Sequence, residues 1–200
     1  MVIPSGGWAG TKGSWPPTGR RRREYRGQGF GMRLWQEGMD HLRGRNVGLD
    51  GVVEEQEKYK ESGFRLIHRS IRFQGTGTGD DRSDRGVVEL AELPFEDLLS
   101  YDTRHFPAER GRFLKSCIAR ECSSGFAFIG DGEIEGYGLL RRCRTGFKIG
   151  PLFAEDGGVA ESLFSALAGR ADRCSPIYLD VPEPNSSALS LPARHGMAET

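Results

Sequence analysis

Apolar and polar positions fall into two kinds of run from Met32 onward. Between Met32 and Leu42, the residues Leu34, Trp35, Met39 and Leu42 gather on one side of a helical wheel, which predicts an amphipathic helix. Gly44 suits its stop. Val47-Gly48-Leu49 reads as a short strand, and Val52 to Ser62 as a polar helix ending before Gly63. Phe64 to Phe73 carries Phe64, Leu66, Ile67, Ile71 and Phe73, the spacing expected of a half-buried strand.

The second half of the chain alternates between the two periods. Val87 to Leu90 predicts a strand, and Pro94 suits the first turn of the helix that follows. Ala108 to Cys122 predicts a helix with Phe113, Leu114, Cys117 and Ile118 on one side. Gly125–Ile129 and Ile134–Leu140 flank Gly130-Asp131-Gly132, a hairpin signal. Phe147 to Phe153 predicts a strand, Val159 to Ala171 a helix, Ile177 to Val181 a buried strand and Ser186 to Arg194 a last helix. Mixed strands and helices place the chain in the α/β (α+β) class.

Composition divides this pattern. The segment 1–23, rich in Gly, Pro, Trp and Arg, has no period and reads as a disordered basic tail. The segment 75–86 is Gly/Thr/Asp-rich and reads as a flexible linker. Two folded units are therefore expected, 24–74 and 87–200. Basic and acidic residues balance at 28 each, which argues against nucleic acid as a partner despite the run Arg20 to Arg23. No apolar run approaches the roughly 20 residues that span a bilayer. The four cysteines, 117, 122, 143 and 174, lack C-x-x-C spacing, so reduced thiols and a cytoplasmic location are expected. The four histidines are scattered, and no metal site is expected.

The chemistry concentrates in Arg26-Gly27-Gln28-Gly29-Phe30-Gly31, immediately before the first helix. Its glycines let the backbone bend closely around a ligand. The helix directs its free N–H groups and positive dipole end into that bend. The combination suits a phosphate or pyrophosphate, and Arg26 adds charge. The alternate glycines are not the dinucleotide fingerprint, and no Gly-Lys-Ser/Thr follows.

These residues resemble the coenzyme A loop of the GNAT N-acetyltransferases, Arg/Gln-x-x-Gly-x-Gly/Ala, matched by Arg26, Gly29 and Gly31. Tyr59-Lys60-Glu61-Ser62-Gly63-Phe64 is similar to the family's later Tyr-x-x-x-Gly-Phe. Farther on, Gly146 to Ala154, Asn185-Ser186-Ser187-Ala188 and His195-Gly196-Met197 resemble a second, C-terminal GNAT-like domain. The resemblance implies a tandem GNAT-like acyl-CoA N-acyltransferase fold. A partial first domain would precede a second with a mixed, mostly antiparallel sheet.

The resemblance also implies an activity, transfer of an acetyl group from acetyl-CoA to an amine, with Gln28, Gly29, Phe30 and Gly31 giving backbone donors to the pyrophosphate and Gly27 keeping the turn open. Tyr59 would protonate the leaving thiolate. The acceptor amine and the general base are open. The pattern departs from the family in two places. No strands can be read before Arg26, so a truncated or degenerate gene product is expected, with an uncovered apolar helix face that favours self-association. In the second unit the residue spaced like Tyr59 is Pro192, and the loop after its strand, Ala154-Glu155-Asp156-Gly157-Gly158, carries two acids. The alternative is a non-catalytic GNAT-like binding or scaffold protein.

Overall fold

The computed structural model describes residues 2–3, 28–45, 47–80, 84–106, 109–120 and 123–200. The chain divides into two compact units, Gly7–Phe64 and Arg65–Thr200, the latter joined by Met1–Gly6. The tail 1–23, apart from residues 2–3, lies outside the described residues, as do Arg26 and Gly27.

The smaller unit is helical where described. Helix α1 spans Phe30–His41 and helix α2 spans Gln56–Glu61 after a 3-10 turn at Val53–Glu55. The strand expected at Val47-Gly48-Leu49 is not regular structure, because Gly48 and Gly51 interrupt a run too short to pair. Leu42, the residue that ends α1, is buried, and on the helix itself Trp35 and Met39 are half-buried. Leu34 stays 65% exposed, so part of the expected apolar face is uncovered.

The larger unit holds one mixed sheet. Its strands are β1 (Val2–Ile3), β2 (Ser70–Thr76), β3 (Val87–Glu89), β4 (Ser123–Gly130), β5 (Glu133–Arg142), β6 (Phe147–Ala154), β7 (Pro176–Pro182) and β8 (Ala198–Glu199). They lie in the order β3-β4-β5-β6-β7-β2-β8, with β1 added along β6. Among the described residues only the β6–β7 pair is parallel. The helices are α3 (Phe95–His105), α4 (Gly111–Ile118), α5 (Gly157–Arg170) and α6 (Ser186–Arg194). The β4–β5 hairpin turns through Asp131 and Gly132 at φ 49° and 84°, the two positive values of a type I′ turn.

The strand expected over Phe64 to Phe73 is displaced. Leu66 and Ile67 are 60% and 83% exposed, and as neighbours they cannot share one sheet face. True alternation begins at Ile71 and Phe73, and β2 pairs along its whole length with β7. It also pairs with β8. Gly77 and Thr78, within the segment read as a linker, donate to the carbonyls of Ser175, just before β7, and of Ala168, in the last turn of α5, at 2.8 and 3.0 Å, which ties that segment to the folded unit instead.

Two apolar cores flank the sheet. One packs α5 and α6 against Leu140, Ile149, Leu152, Ile177, Leu179 and Val181. The other packs Leu98 and Tyr101 of α3 and Leu114 of α4 against Tyr137, Leu139 and Phe153. Helix α5 lies close to β5 because that strand has Gly136 and Gly138 beneath it. A Cβ at Gly136 would sit 2.7 Å from Val159 and 2.8 Å from the Phe153 carbonyl oxygen. Gly136→Ala is therefore expected to cost about 1–3 kcal/mol through overpacking, measured by chemical denaturation.

Strands β6 and β7 pair only through Phe147–Ile149 and Ile177–Leu179. Beyond that point they part. Leu152 and Phe153 pair on one side with Gly138 and Tyr137 and on the other with Ile3 and Val2. The opening of the sheet is thus lined by β1.

Candidate active site

Both units present a glycine-flanked helix N-terminus, and the two differ in what fills them. At α1 the N-cap is Gly29, at φ 74°, in the left-handed region that glycine tolerates best. The Met32 and Arg33 amides both donate to the Gly29 carbonyl, at 3.0 and 3.1 Å, which closes the first turn. No side chain caps this helix, and its first turn holds no acid. Phe30 is 43% exposed. Gln28, Gly29, Phe30 and Gly31 thus form a helix start whose N-cap is a glycine and whose first turn carries no acid. Arg26 and Gly27 of the same motif lie outside the described residues.

At α5 the corresponding place is taken. The Asp156 carboxylate accepts from the amides of Gly158 and Val159 at 2.7 and 2.9 Å. That satisfies two of the four orphan donors. Helix α6 is capped in a similar way by Asn185, which accepts from the Ala188 amide at 3.0 Å. This gives Asn185-Ser186-Ser187-Ala188 a structural reason. Pro192 lies inside α6 and is buried.

Tyr59 is on α2, half-buried in the smaller unit. Its ring lies 6.1 Å from that of Trp35 on α1, which in turn lies 5.7 Å from Phe64. The Phe64 amide donates to the Tyr59 carbonyl at 3.0 Å, so the turn after α2 folds Phe64 back against the aromatic group. Trp35, a candidate core residue by periodicity, therefore packs the middle of α1 against Tyr59 and Phe64.

Two buried charge clusters were not foreseen. On α3, Asp102 is fully buried. Arg110 grips it with two hydrogen bonds of 2.9 and 2.6 Å, and the Tyr137 hydroxyl donates a third at 2.5 Å. Burial lowers the Arg110 affinity for its proton, but Asp102 more than offsets this and holds it charged. Burial, reinforced by Asp102, raises the Tyr137 hydroxyl well above its ordinary value. His105, one turn on, packs between the rings of Tyr101 and Phe153, and burial pulls its proton affinity down. The sequence signal was present. Asp102 follows Leu98 by four residues, on the inward stripe shared with Tyr101 and His105.

The second cluster pins three strands. Arg72 on β2 forks onto Asp180 on β7 at 2.7 and 2.8 Å, and Lys148 on β6 donates to the same carboxylate. Burial pushes the Asp180 carboxyl up, but the bonds from Arg72 and Lys148 win and hold it below the usual value. No group of three or more potential metal ligands occurs among the described residues, and among them no helix is long and apolar enough to cross a membrane.

Known proteins share this architecture. The sequence profile described as acetyltransferase (GNAT) domain matches residues 98–200, just over half the chain. The chain is 30% identical over 158 residues to the holothin acyltransferase of Pseudoalteromonas sp. (strain SANK 73390), covering 78% of this chain and 53% of that protein. It is 30% identical over 168 residues to the uncharacterized N-acetyltransferase YitH of Bacillus subtilis (strain 168), covering 82% and 59%. A candidate acetyltransferase of Pyrococcus horikoshii superposes with a TM-score of 0.71 at 24% identity, over 90% of this chain and 59% of that one. The chain thus spans between half and three fifths of the length of these relatives.

Two outcomes follow from the charge clusters. Arg110→Met leaves Asp102 buried without its cation and is expected to cost about 3–5 kcal/mol, read from denaturant unfolding. For Asp180, the folded carboxyl titrates below the unfolded one, so its stabilising contribution is complete above the unfolded pKa of roughly 4 and is lost as pH falls through the lower folded value. Unfolding of the Asp180→Asn variant, followed against pH, is expected to show a shallower acid limb than the unsubstituted protein.

Proposed function

The chain belongs to the GNAT acetyltransferase family, and from that membership we propose that it is an acetyl-CoA-dependent N-acetyltransferase whose coenzyme site is the start of α1. The observation that carries this is the contrast between the two helix N-termini. The α1 start has exposed glycine backbone, no capping side chain and no acid in its first turn. The α5 start is filled by Asp156, with Glu155 beside it. An incoming pyrophosphate meets donors at the first and like charge at the second.

The amides of Gln28 to Gly31 would hold the pyrophosphate, with Arg26 and Gly27 completing the loop. In the transfer, the neutral amine nitrogen attacks the thioester carbonyl carbon. The carbon–sulfur bond breaks, the thiolate takes a proton from Tyr59, and the proton that the amine nitrogen loses to solvent as the amide forms is matched by one that solvent returns to the tyrosinate. The acceptor is an amine, of a small molecule or of a protein. In the larger unit the sheet opening lined by β1, the capped α5 and Pro192 in place of a proton donor favour a structural or acceptor-shaping role. Those same features support a second reading, a scaffold of GNAT-like units without turnover.

Gly31→Glu separates the two. A glutamate in the first helical turn raises helix propensity and suits the dipole, so thermal stability is expected to hold or rise. The same carboxylate repels a pyrophosphate. Calorimetric titration with acetyl-CoA is expected to show at least a roughly tenfold loss of affinity, about 1.4 kcal/mol. Equal affinity in both proteins, or no binding by the folded unsubstituted protein, refutes the α1 site. Binding without acetylation of any amine in a broad panel supports the scaffold.

A further inference from the structure

Gly51 lies in the irregular segment between α1 and α2, eight residues before Tyr59. Its backbone does not require glycine, since it is absent from the positions with positive φ. Space does. A Cβ built there would lie 2.6 Å from Cε2 and 2.9 Å from Cδ2 of the Tyr59 ring, and 3.1 Å from Cδ1 of Leu49. Non-bonded carbons meet at about 3.5–4.0 Å, so no side chain fits while the ring stays where it is. The neighbouring ring of Trp35 bounds the same aromatic group. Gly48, three residues earlier in the same segment, has nothing within 4 Å of its would-be Cβ.

We propose that Gly51 is a positioning residue: its missing side chain makes the slot that seats the Tyr59 ring beside Trp35 and thereby aims the Tyr59 hydroxyl. This rests on the proton-donor role proposed for Tyr59. A hydroxyl sits at the far end of its ring, so a shift at Cδ2 and Cε2 swings it away from any fixed sulfur. Misplacement of about 1 Å at a reacting group can cost up to roughly a hundredfold in rate. The pyrophosphate contacts, at the start of a different helix, are left in place.

The test compares Gly51→Ala with Gly48→Ala, which changes the same segment's flexibility without touching the ring. With ring-labelled tyrosine, the five tyrosines give separate NMR signals, and Tyr59→Phe identifies the one at issue. Gly51→Ala is expected to move the Tyr59 signals and leave the other four unmoved, while Gly48→Ala moves none. With acetyl-CoA and an accepted amine, Gly51→Ala is expected to lower kcat at least roughly tenfold while KM for acetyl-CoA changes less than about twofold. It is expected to cause no further loss in a Tyr59→Phe background. An unmoved Tyr59 signal, an equal loss in Gly48→Ala, or additive losses with Tyr59→Phe overturns the proposal. Failure of the unsubstituted protein to acetylate any amine overturns the acetyltransferase reading instead, and is seen before any substitution is made.

Discussion

The larger unit depends on one close approach, that of α5 to the backbone of β5. Val159, Leu163 and Leu167 recur at four-residue intervals and meet Gly136 and Gly138, where any side chain would hold the helix away. Close packing there buries an entire helical face. It also fixes where α5 begins. Residue 157 must follow directly on the end of β6 at Ala154, beside the point where β6 and β7 part. The sheet opening and the helix N-terminus are therefore one geometric feature, set by two glycines in a neighbouring strand.

What occupies such an N-terminus is a question of competing charges. An Asp cap is worth only about 1 kcal/mol, too little by itself to exclude a dianionic ligand. Repulsion is larger. A unit charge about 4 Å from another costs on the order of 4 kcal/mol near a protein surface, and Asp156 holds its carboxylate on the very amides a phosphate would use. At α1 the N-cap is the left-handed Gly29 rather than an extended aspartate, and the first turn comes without an acid. The two helix starts thus differ in charge, and on the coenzyme site proposed for α1 that difference would separate the roles of the two units.

Elements with strong periodicity and clear punctuation were legible in the sequence: the β4–β5 hairpin around Asp131-Gly132, helix α5, strand β7 and helix α6. The glycine motif before α1 was legible as a helix start. Less legible was anything decided by a distant partner. Strand β2 reads as the close of the first unit because it follows that unit's motif, yet its hydrogen bonds go to β7, more than a hundred residues later. Gly136 and Gly138 look like weak points of a strand until α5 lies across them. Gly51 looks like a loop glycine until the Tyr59 ring fills the space beside it.

The buried acids show why a carboxylate in a core is weak evidence for a catalytic base. Asp102 receives two bonds from Arg110 and one from Tyr137, and Asp180 receives two from Arg72 and one from Lys148. A base needs a free lone pair aimed at a substrate proton. Here each carboxylate already holds three donors, two of its partners in each bond set being fixed on separate elements of one sheet or helix layer. Removing Asp102 would strand Arg110, and removing Arg110 would strand Asp102; removing Asp180 would leave Arg72 and Lys148 without their shared partner. These groups join α3 to β5, and β2 to β7 to β6, where an apolar contact would give no directional preference. Asp102 lies on the inward stripe of α3, four residues after Leu98, whereas Asp180 lies on the β7 face opposite Ile177, Leu179 and Val181, directly across from Arg72; both are ties between elements. On the proposed function, acid–base chemistry would fall to groups less fully partnered, and in the smaller unit the group proposed is Tyr59, half-buried with its ring against Gly51.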